Sequence, residues 1–210
     1  MNNVSEKMIL EPAKAGPYDH LIADLIFNTD PSVFGCLVRG DRELFKRWMT
    51  PLWQATDCSY SHDCGTVCLE GRDLLGFEQG FAGELQPALN KKSSEKIDEI
   101  FSPEQMKYMA DCSRHLNYIV PFVPKSAYYV HLLSVDKNRQ GMGVGRMLLE
   151  NAFQRASEAG FRSVHLNVYA GNPSVGFYER MGMEKRLEIR LSAFQGICQI
   201  PPHFLMVKDL

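Results

Sequence analysis

The chain has 210 residues, enough for one well-packed domain and too few for two halves that would each keep a sound core. Its 45% hydrophobic and 23% charged content is ordinary for a globular protein, and a formal net charge of −2 offers no general attraction to polyanions, which excludes nucleic acid as an expected partner. The polar start over residues 1–7 lacks the basic and apolar regions of a signal peptide, and no apolar run is long enough for a bilayer, so the expectation is a cytoplasmic protein without a membrane partner.

Six cysteines at irregular spacing predict reduced thiols rather than a disulfide framework. Cys58, His62, Cys64 and Cys68 are all zinc-ligand types, but their spacing fits no short metal knuckle. Ordinary buried thiols are the expectation, and no metal is assigned.

In chain order, Met8-Ile9-Leu10 closed by Pro12 reads as a first strand. Asp19 is placed as the cap of a helix to about Asn28, with Leu21, Ile22, Leu25 and Ile26 as its buried stripe. A second helix is predicted from about Arg42 to Ala55, bent or restarted by Pro51. Gly65 to Glu70 and Leu74 to Phe81 flank Gly71-Arg72-Asp73, the composition of a hairpin. The segment from about 83 to 125 reads as a helical insertion into the single domain, with a helix start at Ser102-Pro103-Glu104-Gln105 and an end at Pro121 and Pro124.

Tyr128 to Val135 is apolar without a break, as in a strand buried on both faces. A helix from about Gly143 to Glu158, stopped by Gly160, and a strand from Ser163 to Tyr169 follow, an order that implies a right-handed crossover and parallel strands. A helix begun by Asn172 and Pro173 runs to about Arg180. The strands Glu184 to Leu191 and His203 to Val207 close a mixed α/β fold.

Gln140-Gly141-Met142-Gly143-Val144-Gly145-Arg146 joins a buried strand to a helix. Such a turn collects backbone N–H groups and the positive end of a helix dipole at one point, where phosphate is attracted. Arg139 and Arg146 are placed to add charge-assisted bonds. A nucleoside triphosphate loop needs Gly-Lys before Ser or Thr, but Gly145 is followed by Arg146-Met147. A dinucleotide site needs different glycine spacing and an acid near the end of the next strand, where this chain has Asn167-Val168-Tyr169.

The pattern Gln140-x-x-Gly143-x-Gly145 resembles the pyrophosphate signature of the GCN5-related N-acetyltransferase (GNAT) superfamily. Asn172-Pro173-Ser174-Val175-Gly176-Phe177-Tyr178-Glu179-Arg180-Met181-Gly182-Met183 is similar to that family's second element, with Val175 where Ala is commoner and Met183 where Phe is commoner. The resemblance is close from Tyr128 to Arg190 and topological before that. It implies a mixed sheet flanked by helices and splayed open between the strands ending near Val135 and Tyr169. It also implies acetyl-CoA (coenzyme A) as cofactor, with pantetheine on the backbone of Leu133, Ser134 and Val135 and pyrophosphate on amides of Gln140, Gly141, Met142, Gly143, Val144 and Gly145.

The implied activity is transfer of an acetyl group from acetyl-CoA to a primary amine, either a small molecule or a peptide amino terminus. A non-catalytic acyl-CoA sensor of the same fold is the alternative. The resemblance also allows a homodimer.

By position in the motif, Tyr178 is the implied general acid, the other reading being that it only packs against the cofactor. Asn172 is either a cofactor contact or a helix cap. His131, on the strand leading to the loop, is the candidate base or else a hydrogen-bonded core residue. Tyr129, two residues earlier, shares its face. The Leu133 N–H is the implied oxyanion stabiliser. Asn167 is either a contact in the strand gap or a structural bond. Glu84, Glu78 and Asp24 are acids that spacing does not choose between. The insertion, with Tyr108, Tyr118 and Phe122, is expected to cover or narrow the acceptor site.

Overall fold

The computed structural model describes residues 7–97, 100–119, 123–191 and 198–210. Strand β1 (Met8–Pro12) precedes three helices, α1 (Asp19–Thr29), α2 (Pro31–Leu37) and α3 (Arg42–Gln54). The hairpin is β2 (Gly65–Glu70) and β3 (Asp73–Ala82), and α4 (Gln86–Glu95) and α5 (Pro103–Leu116) follow. The remainder is β4 (Ala127–Val135), α6 (Val144–Glu158), β5 (Ser163–Tyr169), α7 (Val175–Arg180), β6 (Glu184–Ile189) and β7 (His203–Asp209).

The seven strands form one mixed sheet in the order β1-β2-β3-β4-β5-β7-β6. β4 and β5 are parallel, as the strand–helix–strand order predicts, and the other pairs are antiparallel. Helices cover both faces. On one, Ile22, Ile26, Phe45, Met49, Leu52 and Trp53 from α1 and α3 pack on Phe77 and Leu132 of the sheet. On the other, Leu149, Ala152, Phe153 and Ala156 of α6 pack on Val130, Val164 and Leu166.

Several expectations are corrected by local detail. Asp19 is the first residue of α1 rather than its cap, because its carboxylate turns back to accept from the Gly16 N–H at 2.9 Å. Leu21 is 40% exposed, so the buried stripe is Ile22, Ala23, Leu25, Ile26 and Phe27. α2 was not foreseen, although Asp30-Pro31 is a start signal: the Asp30 side chain accepts from the Val33 N–H at 3.1 Å, with Pro31 in the first turn. α3 passes through Pro51 and ends at Gln54 without restarting. The last helix begins at Val175, after a turn in which Asn172 Oδ1 accepts from the Ser174 N–H at 2.8 Å.

The insertion is helical, and Ser102 and Gln105 form a reciprocal capping box at the start of α5. Tyr118 is 71% exposed, and the Tyr108 hydroxyl donates to the Cys36 carbonyl at 3.0 Å, so neither narrows the cleft as expected. Pro121 and Phe122 lie outside the described residues.

The expectation of uniformly reduced thiols fails for one pair. Cys36 on α2 and Cys198 ahead of β7 are joined in a disulfide across 162 residues, with Cα atoms 5.8 Å apart. Sequence spacing does not reveal a pair that meets only when α2 is packed beside the last strands. Cys58, Cys64, Cys68 and Cys112 are free. Cys58 donates to the Leu52 carbonyl, His62 Nδ1 donates to the Trp53 carbonyl, and Cys68 packs with Leu75, Val144 and Leu148. Among the described residues no group of three or more His, Cys, Asp or Glu side chains is arranged to hold a metal. Nor, among them, is any helix long and apolar enough to cross a membrane.

A cross-link between such distant residues restricts the unfolded chain. Cys198→Ser should therefore lower the unfolding free energy by about 2–5 kcal/mol in denaturant titrations without reductant. Reductant should abolish the difference, and equal midpoints without reductant would contradict the bridge.

Candidate functional site

β4 and β5 pair over three residues only, Ala127–Tyr129 against Ser163–His165. Beyond them β4 stays on β3 as far as Val135, and β5 stays on β7 as far as Tyr169. The two strands therefore diverge, and a cavity of about 1510 Å³ occupies the gap, lined on one side by Val130 to Val135 and on the other by Leu166 to Tyr169. Each exposes a backbone edge to this gap, a ready template for an extended ligand with amide groups.

β4 also carries a bulge. Leu132 lies opposite Gln79 and Val130 opposite Gly80, which leaves His131 as the extra residue. A bulge bends its strand and re-aims a side chain. Tyr129 and His131 share a face, stacked with centroids 5.9 Å apart, as their spacing predicts.

The Gly-rich loop lies at the other end of the cleft. Gly141 and Gly143 have φ of +81° and +88°, in the left-handed region that favours glycine, and a Cβ on either would meet nothing within 4 Å. Backbone conformation and an open cradle therefore require these glycines, rather than close packing. Gly143 caps α6 with no side chain to accept from the first amides of this 15-residue helix. Gly141, Gly143, Val144 and Gly145 line the cavity beneath that positive helix end.

The flanking cations differ from expectation. Arg139 is held by Glu70 at 3.4 Å and Asp73 at 3.2 Å, which ties it to the β2–β3 turn, while Arg146 makes an exposed pair with Glu150 at 3.7 Å. Both still line the cavity, together with Lys137 and Arg180, which the sequence reading passed over. The Met142 side chain is 43% exposed and is not among the lining residues.

Leu133, Ser134, Val135, Gln140, Asn172, Tyr178 and His131 all line the same cavity. Tyr178 is 7% exposed, packs beside Phe177 at 5.3 Å between centroids, and its hydroxyl has no hydrogen-bond partner among the described residues. Burial pushes its pKa above the ordinary value of 10, so it keeps its proton. His131 Nδ1 lies 2.9 Å from the Ser59 carbonyl, which can only accept, so Nδ1 carries the proton and Nε2 of the neutral ring carries the lone pair. Burial pushes its pKa down to about 4, against the opposite pull of the Ser59 carbonyl. Asn167 donates from Nδ2 to the Tyr129 hydroxyl at 3.3 Å, a bond across the throat of the split.

None of the three unselected acids lines the cavity. Asp24 pairs with Arg42 at 2.6 Å and Lys46 at 3.4 Å, and Glu84 is exposed. Glu78 is fully buried against Arg155 of α6, and burial raises its pKa to about 7. The sequence reading missed the far wall of the cavity, where Asp30 meets His203 at 2.7 Å and Trp48, Ser59, Tyr60 and Phe81 gather near His131. α4 and α5 close that end with Asn90, Ser93, Met109 and Leu116, so the insertion does border the cleft.

The model of the acetyltransferase (GNAT) family matches residues 110–183. No curated protein matches the sequence. Solved structures share the fold along nearly the whole chain. A structure described as an acetyltransferase is 17% identical, covers 96% of this chain and 98% of its own, and has a TM-score of 0.68. An N-acetyltransferase from Staphylococcus aureus Mu50 is 15% identical, with 95% and 99% covered and a TM-score of 0.69. Arylalkylamine N-acetyltransferase 2 from Aedes aegypti is 18% identical, with 99% of each chain covered and a TM-score of 0.62.

The open cradle gives a direct test. Gly143→Glu places a carboxylate where phosphate would sit and a side chain where φ is +88°. It should weaken coenzyme A binding at least about tenfold in calorimetric titration, by like-charge repulsion and blocking. Unchanged affinity in a folded variant would show that the loop is not the phosphate site.

Proposed function

We propose that the chain is a member of the GCN5-related N-acetyltransferase (GNAT) superfamily, whose model matches residues 110–183, and that it transfers an acetyl group from acetyl-CoA directly to a primary amine, a small molecule or a peptide amino terminus. The observation that carries this reading is one continuous cavity joining an amide cradle at the head of α6 to a split between β4 and β5, with Tyr178 on its wall.

The cofactor fits the residues present. Two open left-handed glycines and an uncapped helix start suit a diphosphate, and the free edge of Leu133 to Val135 suits the amides of a pantetheine arm. When bound, acetyl-CoA supplies an activated acyl group and a thiol leaving group.

The chain's own groups then have separable tasks. The Leu133 N–H is assigned to polarise the acyl oxygen. His131 Nε2 takes a proton from the incoming amine, which must be uncharged to attack. The Tyr178 hydroxyl, which holds its proton at neutral pH, donates it to the departing sulfur. Asn172 is assigned to shaping the turn before α7 through its bond to Ser174, and through that turn to presenting Tyr178. Arg139 contributes field to the phosphate end while held by its two carboxylates.

Tyr178→Phe should lower kcat by about 10²–10⁴-fold with coenzyme A affinity nearly unchanged. An unchanged kcat would refute the acid role, and cofactor binding without thiol release for any amine would identify a sensor instead. The pH profile tests His131. Because its pKa is lowered to about 4, the ring stays neutral and able to accept a proton until the pH falls through that value. After correction for ionisation of the amine itself, kcat/KM should stay level down to about pH 5. A limb near the ordinary histidine value of about 6.5 that vanishes in His131→Gln would contradict this setting.

A further inference from the structure

Resting on the acyltransferase reading above, we infer that the acceptor is a primary amine borne on an aromatic or otherwise apolar body with no second cationic centre. The wall around His131 is made of rings. The centroids of Tyr60, Phe81 and Tyr129 lie 4.9, 5.5 and 5.9 Å from that of His131, and Phe34 and Trp48 each lie 6.5 Å from Tyr60. All of these residues line the cavity, and Leu37, Met109, Leu116 and Ile119 continue the apolar surface. Such a wall gains by covering apolar area and by edge or offset ring contacts. A ring face can attract an ammonium, but that attraction is weaker than the hydration a buried charge gives up.

The polar groups at this end point the same way. Asp30 is the one carboxylate among the described cavity residues, and its oxygens are occupied. One accepts from Ser32 Oγ at 2.8 Å and the Val33 N–H at 3.1 Å, and the other faces His203 Nε2 at 2.7 Å. His203 Nδ1 faces the Pro201 carbonyl at 2.9 Å, so the ring is held between that carbonyl and Asp30. Lys91 adds a positive charge to the lining. The reacting nitrogen loses its proton to His131. A second ammonium would be desolvated without a free carboxylate to receive it, which is unfavourable. Polyamines and peptides that present a lysine side chain to this chamber are disfavoured, and compact amines on apolar bodies are selected.

The test uses the whole chain with three probes at fixed acetyl-CoA: 2-phenylethylamine, spermidine and a short lysine-bearing peptide. Thiol release gives kcat/KM for each, and equilibrium dialysis against the coenzyme A-loaded protein gives binding without turnover. The inference expects 2-phenylethylamine to exceed both other probes at least about tenfold in kcat/KM and in retention, a preference of about 1.4 kcal/mol. Spermidine or the peptide matching or exceeding it in both measurements would overturn the inference and leave the acyltransferase reading standing. If coenzyme A binds and no amine releases thiol, that reading fails instead. Dialysis then decides the acceptor class: preferential retention of 2-phenylethylamine supports it, and equal or reversed retention overturns it.

Discussion

The parting of β4 from β5 after three paired residues is the constraint on which the rest of the structure depends. A closed parallel pair would satisfy the facing amides and carbonyls internally and leave no slot. Here each strand is instead anchored on its far side, β4 by β3 and β5 by β7, so that the gap is framed by rigid sheet. The open edges are a standing cost, because unpaired strand groups that are not reached by water are destabilising. A ligand with its own amides would offset that cost, which is why the split suits the proposed pantetheine arm.

Two other features act together with the split. α6 packs across β2 to β5 through a fully buried set including Leu148, Leu149, Ala152 and Ala156, which fixes the direction of its amino end. The ion pair of buried Glu78 with half-buried Arg155 ties the same helix to β3. The loop amides are therefore aimed by the packing of the whole helix and not by the loop alone. The bulge at His131 works on the opposite side of β4. It brings an imidazole into the cavity within a strand whose next residues line the split, so on the proposed reading one strand would serve both substrates.

The Gly-rich loop and the elements that flank it were legible in the sequence because they are written in local rules. Gly141 and Gly143 mark positive φ, and a strand and helix flank them, so the loop from Gln140 to Gly145 could be located from short-range pattern. Tyr178 followed from a motif of the same kind. The opposite end of the cavity and its surroundings are assembled from residues far apart in sequence: Asp30 with His203, Cys36 with Cys198, and Tyr60 with Phe81 and His131. No spacing rule joins these. Asp30-Pro31 was the one readable signal, a helix start hidden between two longer helices. Glu78, Glu84 and Asp24 were weighed because acids suit amines, but burial, exposure and ion pairing place them elsewhere, and none of that is visible without the fold.

The most direct test of the account is an amide NMR titration of the uniformly 15N-labelled protein with coenzyme A. The account predicts that the largest shifts fall on Gly141 to Gly145 and on Leu133 to Val135, with smaller changes on the facing residues Asn167 to Tyr169. Saturable shifts confined to other surfaces, with the loop and both edges of the split unmoved, would contradict it.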